Sequence, residues 1–357
     1  MLVRIRQVLR SRDAPLLWKV SAIAAVAGVG GFALGSLLGS TQLALGSTIS
    51  GLFVAAAGSV LPRGAGKVAA AIVAVAAVAF ATLAAIVAGH PVAAGLAMAA
   101  VAFASGVLAA SGGVAILLGA LLATAYVVPA AVGTGYDEPL GLVAAAAALG
   151  AAWGMLFARL VSQFTEDDSP AVGRLWMHGA VAELGRMARD LGDPRVRYGL
   201  RRGIALGIGM AIYEGTGNRD ALWVMLTIFV VLQPERRASW DFALVRTVGT
   251  FAGIGLLALL AIPLSDTALL IAALIVVDLG LAWVMRNPAV LTMATTVFAV
   301  AVTEVLAPGF TDPAEHRLAD TVLGAAIAIL IGYVLFPDRA REEEEEAELE
   351  PSARASG

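Results

Sequence analysis

One carboxylate interrupts the apolar sequence more abruptly than any other. Asp278 follows seven apolar residues, Ile271 to Val277, and lies eight residues before Arg286. If this run is a helix in lipid, about 12 Å separates Asp278 from the interface that Arg286 marks. An aspartate at such depth costs about 2.5–3.5 kcal/mol on insertion scales. It must therefore face a partner, a cavity or a proton. A protonatable switch and a structural hydrogen bond to a neighbouring helix both fit.

Another apolar stretch begins with an arginine and threonines. Arg246 and Thr250 stand one helical turn apart, with Gly249 and Gly253 on the same stretch. A guanidinium fork suits carboxylates, so Arg246 is a candidate for attracting an organic anion. It could equally be an interfacial anchor. Further along the chain, Arg317 and Asp320 are three residues apart and can pair on one helical face, an arrangement that is more often structural.

The depth of Glu214 in the membrane depends on where its helix begins. It lies twelve residues after Arg202, or about 18 Å of helix, whereas a membrane span needs about 30 Å. Glu214 would then sit in a crevice below the outer membrane surface. Alternatively, the Arg202 side chain extends to the interface and the helix begins earlier, near Val196.

Threonines mark a later apolar run. Thr292, Thr295 and Thr296 fall on one helical face. They could line a path through the membrane, or they could bond only to their own helix backbone.

Motifs of enzymes and cofactor sites are missing from the sequence. There is no phosphate-binding loop, no zinc-protease or serine-hydrolase signature, and no dinucleotide fingerprint. There are no cysteines, and the three histidines have no metal-ligand spacing. Nor is there a basic face with aromatic residues for nucleic acid. We therefore expect no enzyme, metal, cofactor or nucleic-acid partner.

The elements that carry these residues must be membrane helices. Hydrophobic residues make up 59% of the 357, charged residues only 14%, and the mean hydropathy is +0.86. Soluble domains have about a quarter charged residues, so lipid must be the main solvent and a partner of this chain. The interval between Lys19 and Arg159 has very few ionisable side chains. Its only Lys, Arg, His, Asp and Glu residues are Arg63, Lys67, His90, Asp137 and Glu138.

We predict an all-α bundle of about twelve transmembrane helices, because lipid leaves no partner for open backbone. The spans lie near residues 16–38, 43–61, 68–88, 92–110, 113–132, 139–158, 200–214, 220–233, 246–262, 267–285, 289–306 and 318–336. Basic residues follow the even-numbered spans, which predicts both termini on the cytoplasmic side. These basic residues are Arg63, Lys67, Arg159, Arg236, Arg237, Arg286, Arg339 and Arg341.

The spans divide into two halves of similar layout. A first transmembrane half covers 1–160, a cytoplasmic amphipathic linker 161–199, a second transmembrane half 200–337 and a disordered acidic tail 338–357. An even number of spans per half gives parallel repeats about an axis along the membrane normal. The first half is nearly all Ala, Gly, Val and Leu, so we expect the second half to hold the buried polar groups.

The second half resembles the FUSC family of fusaric acid resistance protein-like membrane proteins, which are related to aromatic acid exporters. The likeness rests on a span led by Trp223 and ending at Pro234, then R-x-x-G-T-x-x-G from Arg246 to Gly253, then R-x-x-D-T-x-x-G from Arg317 to Gly324. It covers about residues 200–337. The resemblance implies efflux of organic anions, aromatic carboxylates among them, from the bacterial inner membrane.

Three functions stay open at this stage: a secondary transporter driven by the proton gradient, an anion channel, and a non-transporting membrane scaffold. The candidate substrate and coupling residues are Asp278, Arg246, Thr250, Glu214, Trp223, Thr295, Thr296 and Asp320. The sequence leaves the oligomeric state open.

Overall fold

The computed structural model describes eleven parts of the chain: residues 13–14, 16–60, 63–111, 114–132, 138–162, 190, 192–216, 221–233, 236–283, 286–306 and 313–334. These residues form α-helices and no β-strand, as the sequence predicts. Most of the predicted linker, and the acidic tail from 338 onward, lie outside the described residues.

The described residues of the first half form six helices. They are α1 (Trp18–Ser36), α2 (Thr41–Val60), α3 (Arg63–Val87), α4 (Pro91–Ala110), α5 (Val114–Val132) and α6 (Leu140–Ser162). Gly39 and Gly89 have φ angles of 92° and 72° in the turns after α1 and α3. Glycine suits these turns because other residues rarely adopt a positive φ.

The second half forms six more helices in the described residues. They are α7 (Pro194–Thr216), α8 (Ala221–Val231), α9 (Arg236–Ala261), α10 (Asp266–Trp283), α11 (Pro288–Leu306) and α12 (Pro313–Val334). Three of them differ from the predicted spans. α7 begins inside the stretch assigned to the linker, α9 begins at Arg236 rather than near residue 246, and α12 begins at Pro313 rather than near residue 318.

The length and composition of the helices support a membrane bundle. Within the described residues, α1, α2, α3, α4, α6 and α9 each contain a stretch long and apolar enough to cross a membrane. Shorter apolar stretches occur in α5, α10, α11 and α12. α7 is crowded with arginines, and α8 has only 11 residues, or about 16 Å.

Small residues bring α4 and α7 into close contact. Gly199, Gly203, Gly207 and Ala211 recur every fourth residue on one face of α7. A Cβ atom on Gly203 would lie 2.8 Å from the main-chain oxygen of Ala99 in α4. A different face of α7 presents exposed isoleucines at the same spacing, Ile204, Ile208 and Ile212. One face therefore packs against the first half and the other is suited to lipid.

The largest cluster of buried hydrophobic residues lies between the two halves. It joins side chains of α3, α4 and α5 to side chains of α7, α8 and α12, with Met98, Tyr126, Met210 and Met225 fully buried. A continuous apolar core thus makes up most of the described contact between the two halves.

Candidate functional site

A buried arginine occupies the interface between α4 and α7. Arg202 of α7 is 4% exposed, and its Nη1 donates a hydrogen bond of 3.1 Å to the hydroxyl of Tyr198, one turn earlier. The Tyr198 hydroxyl in turn donates to the carbonyl oxygen of Leu232 at 2.9 Å. Arg202 is therefore held by a chain of two hydrogen bonds that ends at the last turn of α8.

Aromatic rings surround the guanidinium of Arg202. Its central carbon lies 4.2 Å from the centroid of the Phe229 ring and 5.8 Å from that of Tyr198. Gly106 of α4 makes room on the other side, because a Cβ there would lie 3.3 Å from Cδ of Arg202. Side chains or backbone of α4, α7 and α8 thus enclose one cation.

The charge of Arg202 has little compensation in its surroundings. Its Nε is buried without a hydrogen-bond partner, and within the described ranges no carboxylate lies at ion-pair distance. Cation–π contact and the negative end of the α8 dipole offset part of the cost. Arg201, beside it, is 2% exposed and also participates in an interaction. α7 therefore carries two buried cations into the interface between the halves.

A second polar group lies inside the second half, where α8, α9 and α12 pack against one another. Thr250 of α9 and Thr227 of α8 are fully buried, and neither hydroxyl has a hydrogen-bond partner among the described residues. Arg246, one turn before Thr250, has a buried Nε that lacks a partner there as well. Asp320 of α12 and Trp223 of α8 lie on these packed helices, and each participates in an interaction. The predicted residues of the two family-like motifs are thus on neighbouring helices.

The threonines of α11 bond to their own helix. Thr292 donates to Pro288 at 3.1 Å, and Thr295 and Thr296 both donate to the carbonyl oxygen of Thr292, at 3.0 and 2.9 Å. The methyl-bearing side of Thr296 also fills the space above Gly253 of α9. The geometry favours the interpretation that these threonines serve helix packing.

Asp278 lies at the contact between α10 and α1. Its carbonyl oxygen accepts a hydrogen bond of 2.7 Å from the Ser21 hydroxyl, and one turn later the Leu17 amide donates to Ala282. Its side chain is half-buried beside the exposed residues Leu274 and Ile275. Asp278 is therefore at the edge of the second half, against the first, and apart from the Arg246 group.

Glu214 reaches the first half at the far end of α7. Its Oε2 accepts a hydrogen bond of 2.9 Å from the Gly89 amide in the turn between α3 and α4. Because α7 has 23 residues, it is about 34 Å long and can span a membrane with Glu214 near one end. The structure thus agrees with the earlier helix start, although it begins at Pro194 and the Arg202 side chain is buried.

The predicted residues therefore fall into separate groups, and the residues at the interface of the halves were missed. Arg201, Arg202, Tyr198 and Phe229 were not among the candidates. The signal for them was the small residue at every fourth position of α7, which marks a packed face beside two arginines. In the described part of the chain, no group of three His, Asp or Glu side chains could hold a metal ion.

Comparison with known proteins bears on the same region. Residues 206–331 match the family model of fusaric acid resistance protein-like proteins. Inner membrane protein YccS of Escherichia coli is 32% identical over 179 residues, which are 48% of this chain and 23% of that protein. An uncharacterized protein of Synechocystis sp. is 26% identical over 148 residues, 40% of this chain and 19% of the relative. The matched segment thus spans less than a quarter of either relative. No solved structure matches the chain.

Proposed function

We propose that this chain, whose residues 206–331 match the model of fusaric acid resistance protein-like proteins, is a member of that family and a secondary transporter that exports organic carboxylates, aromatic ones included, using the proton gradient. Its apolar helices and its inner membrane relative support a location in a bacterial inner membrane. We further propose that both termini are cytoplasmic, from the distribution of basic residues in the turns.

The packing of the helices supports a repeat of two six-helix halves. In the first half, α2 packs on α6, α3 on α5 and α6, and α4 on α5. The second half has the same partners six helices later: α8 with α12, α9 with α11 and α12, and α10 with α11. The contact of α4 with α7 also has its counterpart, that of α10 with α1. Parallel repeats about an axis along the membrane normal would give this pattern.

Two glycine contacts support the repeat at the level of single residues. A Cβ on Gly154 of α6 would lie 2.5 Å from the oxygen of Gly51 and 2.9 Å from Cβ of Val54 in α2. A Cβ on Gly324 of α12 would lie 2.7 Å from the oxygen of Val224 and from Cβ of Thr227 in α8. In both halves, a glycine of the last helix meets residues n and n+3 of the second helix.

One observation carries the proposal of anion transport: the contact between the halves contains buried guanidinium groups and aromatic rings. Transporters with internal repeats bind substrate at the interface of the repeats, where rocking of the halves exposes it to each side in turn. A cation at that position selects for anions. A continuous pore has less support, because the buried polar side chains of the first half that the structure describes are four serines, one on α1, two on α2 and one on α4.

We assign two roles to the predicted residues within this mechanism. Asp278, at the α1–α10 contact, is the candidate proton carrier, since a half-buried carboxyl there can change protonation as the halves move. Arg246, with Thr250, is the candidate for attracting the anion inside the second half. Transport of anions that is unchanged in Arg246→Gln would make Arg246 an anchor of α9 instead.

Proteoliposomes containing the purified protein test the function. We expect uptake of benzoate that saturates with concentration and is driven by an imposed pH gradient. Ohmic currents in planar bilayers would favour the anion channel. If neither flux nor current appears with a panel of aromatic and aliphatic carboxylates, transport of carboxylates is excluded. The function of a non-transporting membrane scaffold is then favoured.

A further inference from the structure

We propose that Arg202, flanked by Tyr198 and Phe229, is the residue that binds the carboxylate group of the transported anion. This inference rests on the proposed function, and it assigns the binding site to the interface of the halves rather than to Arg246. Three features of the structure support it: the position of Arg202, its unused hydrogen-bond donors, and its uncompensated charge.

The position of Arg202 suits a site that both halves share. Its side chain starts on α7, lies over Phe229 of α8, and passes beside Gly106 of α4. α4 belongs to the first half, whereas α7 and α8 belong to the second. Any sliding of α4 along α7 would therefore change the surroundings of this guanidinium. Arg246 is on α9, which packs on α8, α10, α11 and α12 of its own half.

The hydrogen bonds of Arg202 leave donors unused that a carboxylate could accept from. A guanidinium has five N–H donors, and a single one has a partner in the described structure, the Tyr198 hydroxyl. Because Tyr198 donates its own proton to Leu232, its oxygen is oriented to accept from Arg202. The guanidinium is thus held in place from one side. Its remaining donors can form the two parallel bonds that a carboxylate accepts.

The buried positive charge of Arg202 favours binding of an anion. The end of a helix supplies about half an elementary charge at most, and the aromatic rings supply no net charge. A guanidinium this deeply buried is therefore stabilised further by a bound carboxylate. The flat face of Phe229 next to it also offers a surface for the ring of an aromatic acid. An arginine that only joined α7 to α8 would gain nothing from an anion.

The test compares carboxylate binding by the whole protein and its variants in detergent. Radiolabelled benzoate and cyclohexanecarboxylate are the probes, measured by equilibrium dialysis. Arg202→Lys keeps the positive charge but loses the planar guanidinium that can form two parallel hydrogen bonds. Arg202→Gln loses both the charge and the guanidinium. Phe229→Leu removes the aromatic ring beside the guanidinium. Arg286→Gln is the control, because Arg286 likewise donates to one oxygen, that of Ala14 at 2.6 Å, and has a ring contact, with Trp283.

We expect benzoate to bind about thirtyfold more weakly to Arg202→Gln and about tenfold more weakly to Arg202→Lys. Phe229→Leu should bind benzoate and cyclohexanecarboxylate equally, whereas the wild-type protein should favour benzoate. Arg286→Gln should match the wild type within about twofold. Phe229→Leu also provides a second readout should the Arg202 variants unfold, as judged by size-exclusion chromatography.

Two failures are distinguishable. If the wild-type protein and Arg202→Gln bind benzoate equally, the assignment of Arg202 is wrong while carboxylate transport stands. The same holds if Phe229→Leu keeps the wild-type preference for benzoate and the Arg202 variants do not fold. If the wild-type protein binds neither probe and moves no carboxylate in proteoliposomes, the proposed function fails and the assignment of Arg202 fails with it.

Discussion

Gly207→Ala is the sharpest probe of the interface between α4 and α7. A Cβ on Gly207 would lie 2.8 Å from Cβ of Ala99 and 2.9 Å from the oxygen of Gly95, where ordinary contact begins at 3.4 Å. Both neighbours are fixed to the α4 backbone, so neither can rotate away. The two helices must therefore separate by about half an ångström, which is the difference between those distances.

The cost of this separation can be estimated. A gap of about 0.5 Å loses about a quarter of the dispersion energy of each contact along the interface. Overpacking of well-packed interiors costs about 1–3 kcal/mol, and alanine returns up to about 1 kcal/mol through its higher helix propensity. We expect a net loss of about 1–2 kcal/mol in the free energy of unfolding. Titration with a denaturing detergent in mixed micelles, followed by circular dichroism, measures it.

Gly255→Ala is the control for Gly207→Ala. Gly255 lies on an exposed face of α9, and a Cβ there would meet nothing within 4 Å. This variant should be as stable as the wild type or more stable by up to about 1 kcal/mol. If both glycine variants have the same stability, α4 and α7 are not in close contact, and the derivation of the interface from small residues is refuted.

Three further predictions concern single polar groups. Asp278→Asn should still carry benzoate but lose its dependence on the pH gradient; full proton dependence would remove Asp278 as the proton carrier. Glu214→Ala removes the acceptor of the Gly89 amide, so hydrogen exchange of the α3–α4 turn should speed up about fivefold, and unchanged exchange would show that this bond is not maintained. Thr227→Val should leave stability unchanged or raise it by about 1 kcal/mol, because its hydroxyl has no partner in the described structure. Thr296→Val, which loses a bond to Thr292, should be the less stable of the two in the same micelle titration.

Much of the fold follows from the sequence. Runs of about 20 apolar residues separated by short polar breaks predict each of the described helices, and the bounds agree to within a few residues for most of them. The largest differences are at α9, which begins at Arg236 rather than near residue 246, and at α7, which begins at Pro194 rather than near residue 200. Hydropathy counts arginines against a membrane span, so Arg195 and Arg197 hid the start of a helix whose predicted span already contained Arg201 and Arg202.

The arrangement of the site is less predictable because it depends on contacts between distant segments. Ser21 meets Asp278 across 257 residues, and this contact rather than local periodicity decides where Asp278 lies. The high cost of an aspartate in lipid predicts that it needs a neighbour, but it does not say which one. Likewise, the four-residue spacing of small residues in α7 predicts a close helix contact, whereas the choice of α4 as the partner is a property of the whole bundle.

The proposed mechanism requires one half to move against the other, and a reversible cross-link tests this requirement. The chain has no cysteine, so a pair can be introduced at Gly95 and Ala211, where the Cβ atoms would lie 3.0 Å apart across the α4–α7 interface. A second pair, at Gly280 and Ala294, joins α10 to α11 within one half. We predict that oxidation of the first pair stops benzoate flux in proteoliposomes, that reduction restores it, and that oxidation of the second pair has no effect. Undiminished flux through protein whose first pair is fully oxidised would contradict the account.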